Sequence, residues 1–103
     1  MTKPFLPTPA ATVNIDVSAS SQAVSLAMPY GDPRQVRIMN NGTATAWVNF
    51  GTSAVTAALA SGFPVGPGVT EVITIPDYGA TPYAAAIAVG STGKIYFTPG
   101  DGI

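Results

Sequence analysis

Short runs of alternating apolar and polar residues, separated by clusters of Gly, Pro, Asn and Ser, constrain this chain more than any other feature. Val13, Ile15 and Val17 alternate with polar neighbours, and residues 70–75 form a further predicted strand, with Glu71, Ile73 and Ile75 on one face. A period of two is typical of a strand that buries one face. Such runs recur about every 8–12 residues, which predicts seven or eight short antiparallel strands in one all-β sandwich or barrel.

Two of the turn clusters predict β-hairpins. The Asn-Gly pair Asn41-Gly42 supplies the positive φ angles that tight hairpin turns need, so we expect a hairpin over residues 34–50. A second hairpin is expected to join residues 84–89 to residues 94–98. The tail from Pro99 is rich in Gly and is not expected to continue a strand.

The N-terminal segment differs in composition from the rest of the chain. Residues 1–11 contain Pro4, Pro7 and Pro9 and show no periodicity. Proline fixes φ and removes a hydrogen-bond donor, so we expect an extended arm over residues 1–11 and a β-sandwich domain over residues 12–103. The prolines also interrupt any continuous apolar stretch, which argues against a secretory signal.

Charged side chains are scarce. The chain has four Lys and Arg and five Asp and Glu among 103 residues, or 9%, against about a quarter in average soluble proteins. Low charge favours association, so we expect part of the surface to be covered by other chains. The basic residues do not cluster, which argues against nucleic-acid binding, and no apolar run is long enough to span a membrane.

The residue types needed for most catalysis are missing. Without His or Cys, Ser–His–Asp and Cys–His nucleophile systems and the usual zinc sites are excluded. A carboxylate pair of the glycosidase type would need two acids across a cleft, and the acids lie near turns or on strand faces. We therefore expect no enzyme activity, no cofactor and no metal. The five acidic residues are Asp16, Asp32, Glu71, Asp77 and Asp101.

Apolar residues in two proline-rich segments are the candidate contact residues. Residues 62–68 read as a stiff loop, and exposed Phe63, Pro64 and Val65 would cost solubility unless covered. Phe5 and Leu6 play the same part in the arm. We expect these five residues to contact a partner chain, an expectation that burial of Phe63 and Val65 in the chain's own core would overturn.

Three segments carry a family resemblance: residues 36–51 (VRIMNNGTATAWVNFG), 62–68 (GFPVGPG) and 95–103 (IYFTPGDGI). Together they resemble segments of capsid decoration, or cementing, proteins of tailed phages and related head or tail accessory proteins. The resemblance implies a jelly-roll-like β-sandwich that forms a homo-oligomer, a dimer or a trimer. It also implies attachment to the major capsid protein on the virion surface after synthesis in the host cytoplasm, and no catalytic residues.

A carbohydrate-binding module is the alternative interpretation. Trp47, Tyr78 and Tyr83 could form an aromatic platform for a sugar if they converge on one exposed groove. Aromatic residues buried in the sandwich would favour the structural role instead.

Overall fold

The computed structural model describes residues 6–7, 11–26, 34–75, 81–90 and 93–101, and every regular element in these ranges is a β-strand. The strands are β1 (Leu6–Pro7), β2 (Val13–Val17), β3 (Gln22–Ser25), β4 (Arg34–Asn40), β5 (Ala46–Gly51), β6 (Phe63–Val65), β7 (Thr70–Ile75), β8 (Tyr83–Ile87) and β9 (Gly93–Asp101).

The strands form two antiparallel sheets. Sheet A has the order β2-β9-β4-β7, and β1 prolongs the β2 edge by pairing with the far end of β9. Sheet B has the order β3-β8-β5-β6. From β2 onward every connection except that between β5 and β6 passes from one sheet to the other. This is the strand order of an eight-stranded jelly roll, so the prediction of an all-β, jelly-roll-like sandwich is confirmed.

The core lies between the sheets and follows the predicted alternation. Val36 and Ile38 of β4 are fully buried, whereas Arg37 and Met39 are exposed. Phe97 of β9 is also fully buried, and its ring meets Phe50 of β5 edge-on at 6.1 Å. Both sheets contribute fully buried side chains, among them Ile95 from sheet A and Val48, Val65, Ala84 and Ala86 from sheet B.

Both predicted hairpins are wrong. β4 pairs with β7 and β9, while β5 pairs with β6 and β8, so the Asn-Gly turn leads from sheet A to sheet B. Likewise β8 pairs with β3 and β5, and β9 belongs to the opposite sheet. A tight turn and an arch between sheets use the same residue types, so alternation shows which residues face the core but not which strands pair.

Two proline-containing segments predicted as irregular are strands. Pro64 lies in β6, which among the described strands pairs with β5 alone, so that the missing N–H interrupts no second described ladder. Pro99 lies in β9, between the residues that pair with β2 and those that pair with β1. β9 keeps β4 as its partner from Pro99 to Asp101 and so runs on through the tail that was not expected to continue a strand.

Candidate functional site

The outer faces of the two sheets differ in how far they are covered. The loop between β5 and β6, residues 52–62, lies over sheet B. Asn49 Nδ2 donates to the carbonyl of Thr56 at 3.2 Å, and the amide of Ala57 donates to Ser21 Oγ at 2.8 Å, so the loop reaches from β5 to the start of β3. No described segment makes a comparable crossing over sheet A, whose outer face is therefore the open surface of the described sandwich.

A groove of about 480 Å³ runs along this outer face. Its residues come from neighbouring strands in register: Arg37 of β4 lies opposite Thr98 of β9, and Met39 lies opposite Tyr96. Thr12 extends the first of these rows, and its hydroxyl oxygen lies 2.9 Å from that of Thr98. The groove is lined by Thr12, Arg37, Met39, Asn41, Tyr96 and Thr98.

The groove brings apolar and polar side chains together. Met39 is 42% exposed in the groove, and Val72, which lies beside Arg37 on β7 and next to the groove, is 45% exposed. Tyr96 beside Met39 is half-buried. Tyr, Met and Arg are the residue types enriched at the centres of protein interfaces, whereas Lys, Asp and Glu are depleted there. In composition this surface resembles the centre of an interface.

Electrostatics sets Arg37 apart from the other described cation on this face. Lys94 Nζ donates to Asp16 Oδ1 at 2.8 Å. This hydrogen bond and the charge of Asp16 raise the pKa of Lys94 above its ordinary value of 10.5. Within the described part of the chain no carboxylate pairs with Arg37. Among the residues that the structure describes, Arg37 is therefore the cationic group of the groove and has no carboxylate partner.

The predicted contact residues do not form one exposed patch. Val65 is fully buried in the chain's own core, because alternation in β6 turns it inward, so its assignment as a partner contact is wrong. Phe63 points the same way and packs partly buried against that core. Pro64, between them, is exposed. Leu6 is in β1, which pairs with β9 of the same chain; Phe5 lies outside the described residues.

The aromatic residues proposed for a sugar platform do not converge within the described structure. Trp47 and Tyr83 both lie on the outer face of sheet B, but Trp47 pairs with Ile87 and Tyr83 with Gly51, four residues apart along each strand. That spacing is about 13 Å, with the row containing Asn49 between them. Tyr78 lies outside the described residues. The aromatic side chain in the groove is Tyr96 instead.

The described acidic residues do not face one another. Asp16 projects from the outer face of β2, where Lys94 holds it. Glu71 lies three strands away on β7 and alternates with Val72, so its side chain leaves the sheet on the opposite face. Asp32 and Asp77 lie outside the described residues, and of Asp101 only the strand backbone is described. No group of three or more His, Cys, Asp or Glu side chains occurs among the residues described.

Sequence reasoning missed the groove, although part of its signal was visible. Arg37 and Met39 alternate with Val36 and Ile38, so the pattern already placed them on an outer face. Tyr96 alternates in the same way with Ile95 and Phe97. What the pattern does not contain is the pairing of β4 with β9, which brings together residues about 60 positions apart.

The described ranges contain no helix long and apolar enough to cross a bilayer. No family model, curated protein or solved structure matches the chain.

Proposed function

We propose that this protein is a non-enzymatic structural component of a virion, a decoration or cement protein that binds the outer surface of a capsid. The observation that carries the proposal is the open outer face of sheet A, where Tyr96, Met39 and Arg37 line a groove. Side chains of these types at the centre of a sheet face are suited to burial against another protein.

Composition and fold support the same role. Only 9% of the residues are charged, so charge repulsion opposes the association of the protein with other surfaces only weakly. Jelly rolls recur in viral capsid proteins and in lectins, which supports a surface-binding role by fold-level analogy. The resemblance of residues 36–51, 62–68 and 95–103 to decoration proteins favours the capsid among these partners.

The mechanism of a cement protein is mechanical. The sandwich acts as a rigid body that contacts neighbouring capsomers, and a homo-oligomer, dimer or trimer, would present several such faces at once. Several weak contacts that form together give much tighter attachment than one alone. The major capsid protein is the proposed partner, and the capsid surface is the proposed location.

Co-sedimentation tests the proposal. The purified protein would be mixed with capsids that lack it, assembled from the major capsid protein encoded in the same genome, and its own mass in solution measured in parallel. We expect an oligomer that sediments with the capsids. A monomer that stays in the supernatant at every concentration would contradict the proposal.

A pair of matched variants locates the contact. Met39→Ser and Val89→Ser each remove an exposed apolar side chain, and only Met39 lies in the groove. We expect Met39→Ser to weaken capsid binding about tenfold, a loss typical of a contact near an interface centre, and Val89→Ser to leave it unchanged. Equal effects would place the contact elsewhere.

The second candidate is a carbohydrate-binding module, associated with a phage tail or found elsewhere. The favouring observation is that Tyr96 shares its groove with the hydroxyls of Thr12 and Thr98 and the amide of Asn41. An aromatic ring beside hydrogen-bonding groups is suited to a sugar ring. A glycan screen with the Tyr96→Ala variant as control separates the two: glycan binding that this variant abolishes favours the module.

A further inference from the structure

We propose that the groove on sheet A recognises an extended protein segment that carries an Asp or Glu side chain and, two residues away, an apolar side chain. Arg37 would bind the carboxylate, and Met39 with Tyr96 would receive the apolar group. That the segment belongs to a capsid protein rests on the proposed function. That the groove prefers a segment of this chemistry does not.

The charge of the groove selects an acidic partner. Asp16, the described acidic side chain on this face, is engaged by Lys94 at 2.8 Å, and Glu71 leaves the sheet on the other face. Arg37 is flanked in register by Thr98 and Val72, both neutral. A guanidinium offers a planar fork of donors that matches a carboxylate. No carboxylate in the described ranges pairs with Arg37, so an incoming carboxylate would supply a counter-charge.

The spacing of the groove residues selects an extended segment. Arg37 and Met39 are two residues apart on one strand face, which corresponds to about 7 Å. An extended segment lying along β4 repeats its own side chains on one face at the same interval. A carboxylate above Arg37 therefore places the side chain two positions further on above Met39 and Tyr96, which lie opposite each other.

The surroundings of Arg37 favour a protein segment over an acidic sugar. Val72 and Met39, the neighbours of Arg37 across and along the sheet, are apolar and 45% and 42% exposed. A sugar acid would leave these side chains against its hydroxyl groups, whereas a peptide can cover them with apolar side chains. The hydroxyls of Thr12 and Thr98 and the amide of Asn41 remain on the groove wall for peptide N–H and C=O groups.

An NMR titration with short peptides tests the inference directly. The isotopically labelled protein would receive the acetylated, amidated peptide Thr-Asp-Thr-Leu-Thr, its Asn counterpart Thr-Asn-Thr-Leu-Thr, or sodium galacturonate, a sugar acid with a free carboxylate. We expect the Asp peptide, at millimolar concentration, to shift the signals of Arg37, Met39, Tyr96 and Thr98, with at least tenfold weaker binding of the Asn peptide. Equal shifts with both peptides, no shift with either, or selective binding of the sugar acid would overturn the inference.

Variants assign the effect to Arg37. Arg37→Gln removes the charge from an exposed side chain and should leave the remaining spectrum unchanged, while the discrimination between the Asp and Asn peptides disappears. Arg37→Lys should keep part of the discrimination between the Asp and Asn peptides, because the charge remains although the planar fork is lost. Lys94→Gln removes the other described cation of this face, which lies outside the groove, and should leave the discrimination between the two peptides unchanged. Loss of discrimination in Lys94→Gln alone would overturn the assignment.

Capsid binding separates this inference from the proposed function. Amidation of surface carboxylates on the capsid with a carbodiimide and a neutral amine should weaken binding of the wild-type protein at least tenfold, and Arg37→Gln should reproduce that loss. Capsid binding that is unchanged both by amidation of the capsid and by Arg37→Gln would overturn the carboxylate inference, while the proposed function would stand. Arg37-dependent binding of the Asp peptide without capsid binding would support the carboxylate inference and contradict the proposed function.

Discussion

The side chain of Asn40 fixes the connection that leads from β4 in sheet A to β5 in sheet B. Its side chain is fully buried. Its amide nitrogen donates to the carbonyls of Ala44 at 2.9 Å and Val65 at 2.8 Å, and its Oδ1 accepts from the amide of Gly42 at 2.9 Å. One side chain therefore holds the turn after β4 and ties it to β6 in the other sheet.

Replacement of Asn40 should be among the most destabilising single changes in the chain. Asn40→Ala leaves the buried carbonyl of Val65 and two further backbone groups without this partner, at about 1–3 kcal/mol for a buried group. Asn40→Asp should cost more at neutral pH, because it sets a carboxylate oxygen against two carbonyls. The urea midpoint measures both, with the exposed Asn41→Ala as control. A change in midpoint as small as that of the control would contradict this role.

Gly62 and Gly68 allow backbone conformation and close packing to be separated. Both have positive φ, 83° and 75°. A Cβ on Gly62 would lie 2.7 Å from the carbonyl oxygen of Val48, whereas a Cβ on Gly68 would meet nothing within 4 Å.

We therefore expect Gly68→Ala to cost about 1–2 kcal/mol from the positive φ alone. Gly62→Ala should cost about 1–3 kcal/mol more, because the backbone must move. Ala60, with φ of 60°, is the reverse case, and Ala60→Gly should be neutral or stabilising. Thermal denaturation of the three variants measures the order. Equal losses for the two Gly→Ala variants would show that the contact with Val48 relaxes at no cost.

At the scale of elements, the sequence predicts strand faces well and strand partners poorly. Alternation in residues 70–75 correctly places Val72 and Ile75 on opposite faces, and the structure buries the face of Ile75. The chain does bend over residues 42–44, but neither Asn41 nor Gly42 has a positive φ. The hairpin expected from them does not form, because β4 finds its partners in β7 and β9. Pairing between distant strands depends on the whole core, and no local pattern encodes it.

The loop over sheet B is held by a side chain that sequence reasoning did not single out. Ser21 Oγ accepts from the amide of Ala57, and Asn49 holds Thr56 nearer to β5. The sequence left residues 53–60 open between a strand and a helical turn. The structure has no strand or helix there. The loop contains two hydrogen-bonded turns, in which the amide of Val55 donates to the carbonyl of Thr52 and that of Ser61 to the carbonyl of Ala58.

Ser21→Ala should release the far end of this loop. We expect faster hydrogen exchange at the amide of Ala57 and a loss of about 0.5–1.5 kcal/mol, as is typical of one hydrogen bond. Exchange at Val48 in the centre of β5 should not change, since its ladder partners remain. If exchange at Ala57 stays at the wild-type rate, the bond to Ser21 does not hold the loop.

At the scale of the whole molecule, we expect the N-terminal arm to contribute both to the stability of the fold and to capsid attachment. β1 pairs with only two residues of β9, Gly100 and Asp101, and β9 keeps β4 as its other neighbour along that stretch. Removal of residues 1–10 should therefore leave a cooperative fold. The loss of the two described ladder positions should lower the free energy of unfolding by about 1–2 kcal/mol and speed amide exchange at Gly100 more than at Phe97.

The same truncation should weaken attachment to capsids, because we expect Phe5 and Leu6 to contact the partner. Alanine replacement of both residues in the full-length chain is the matched variant, since it keeps the backbone that pairs with β9. Co-sedimentation weakened equally by truncation and by double replacement would assign attachment to the two side chains. Attachment unchanged in both would confine the arm to the fold of its own chain. Loss of cooperative unfolding in the truncated protein would instead make β1 part of the core, contrary to the division at residue 11.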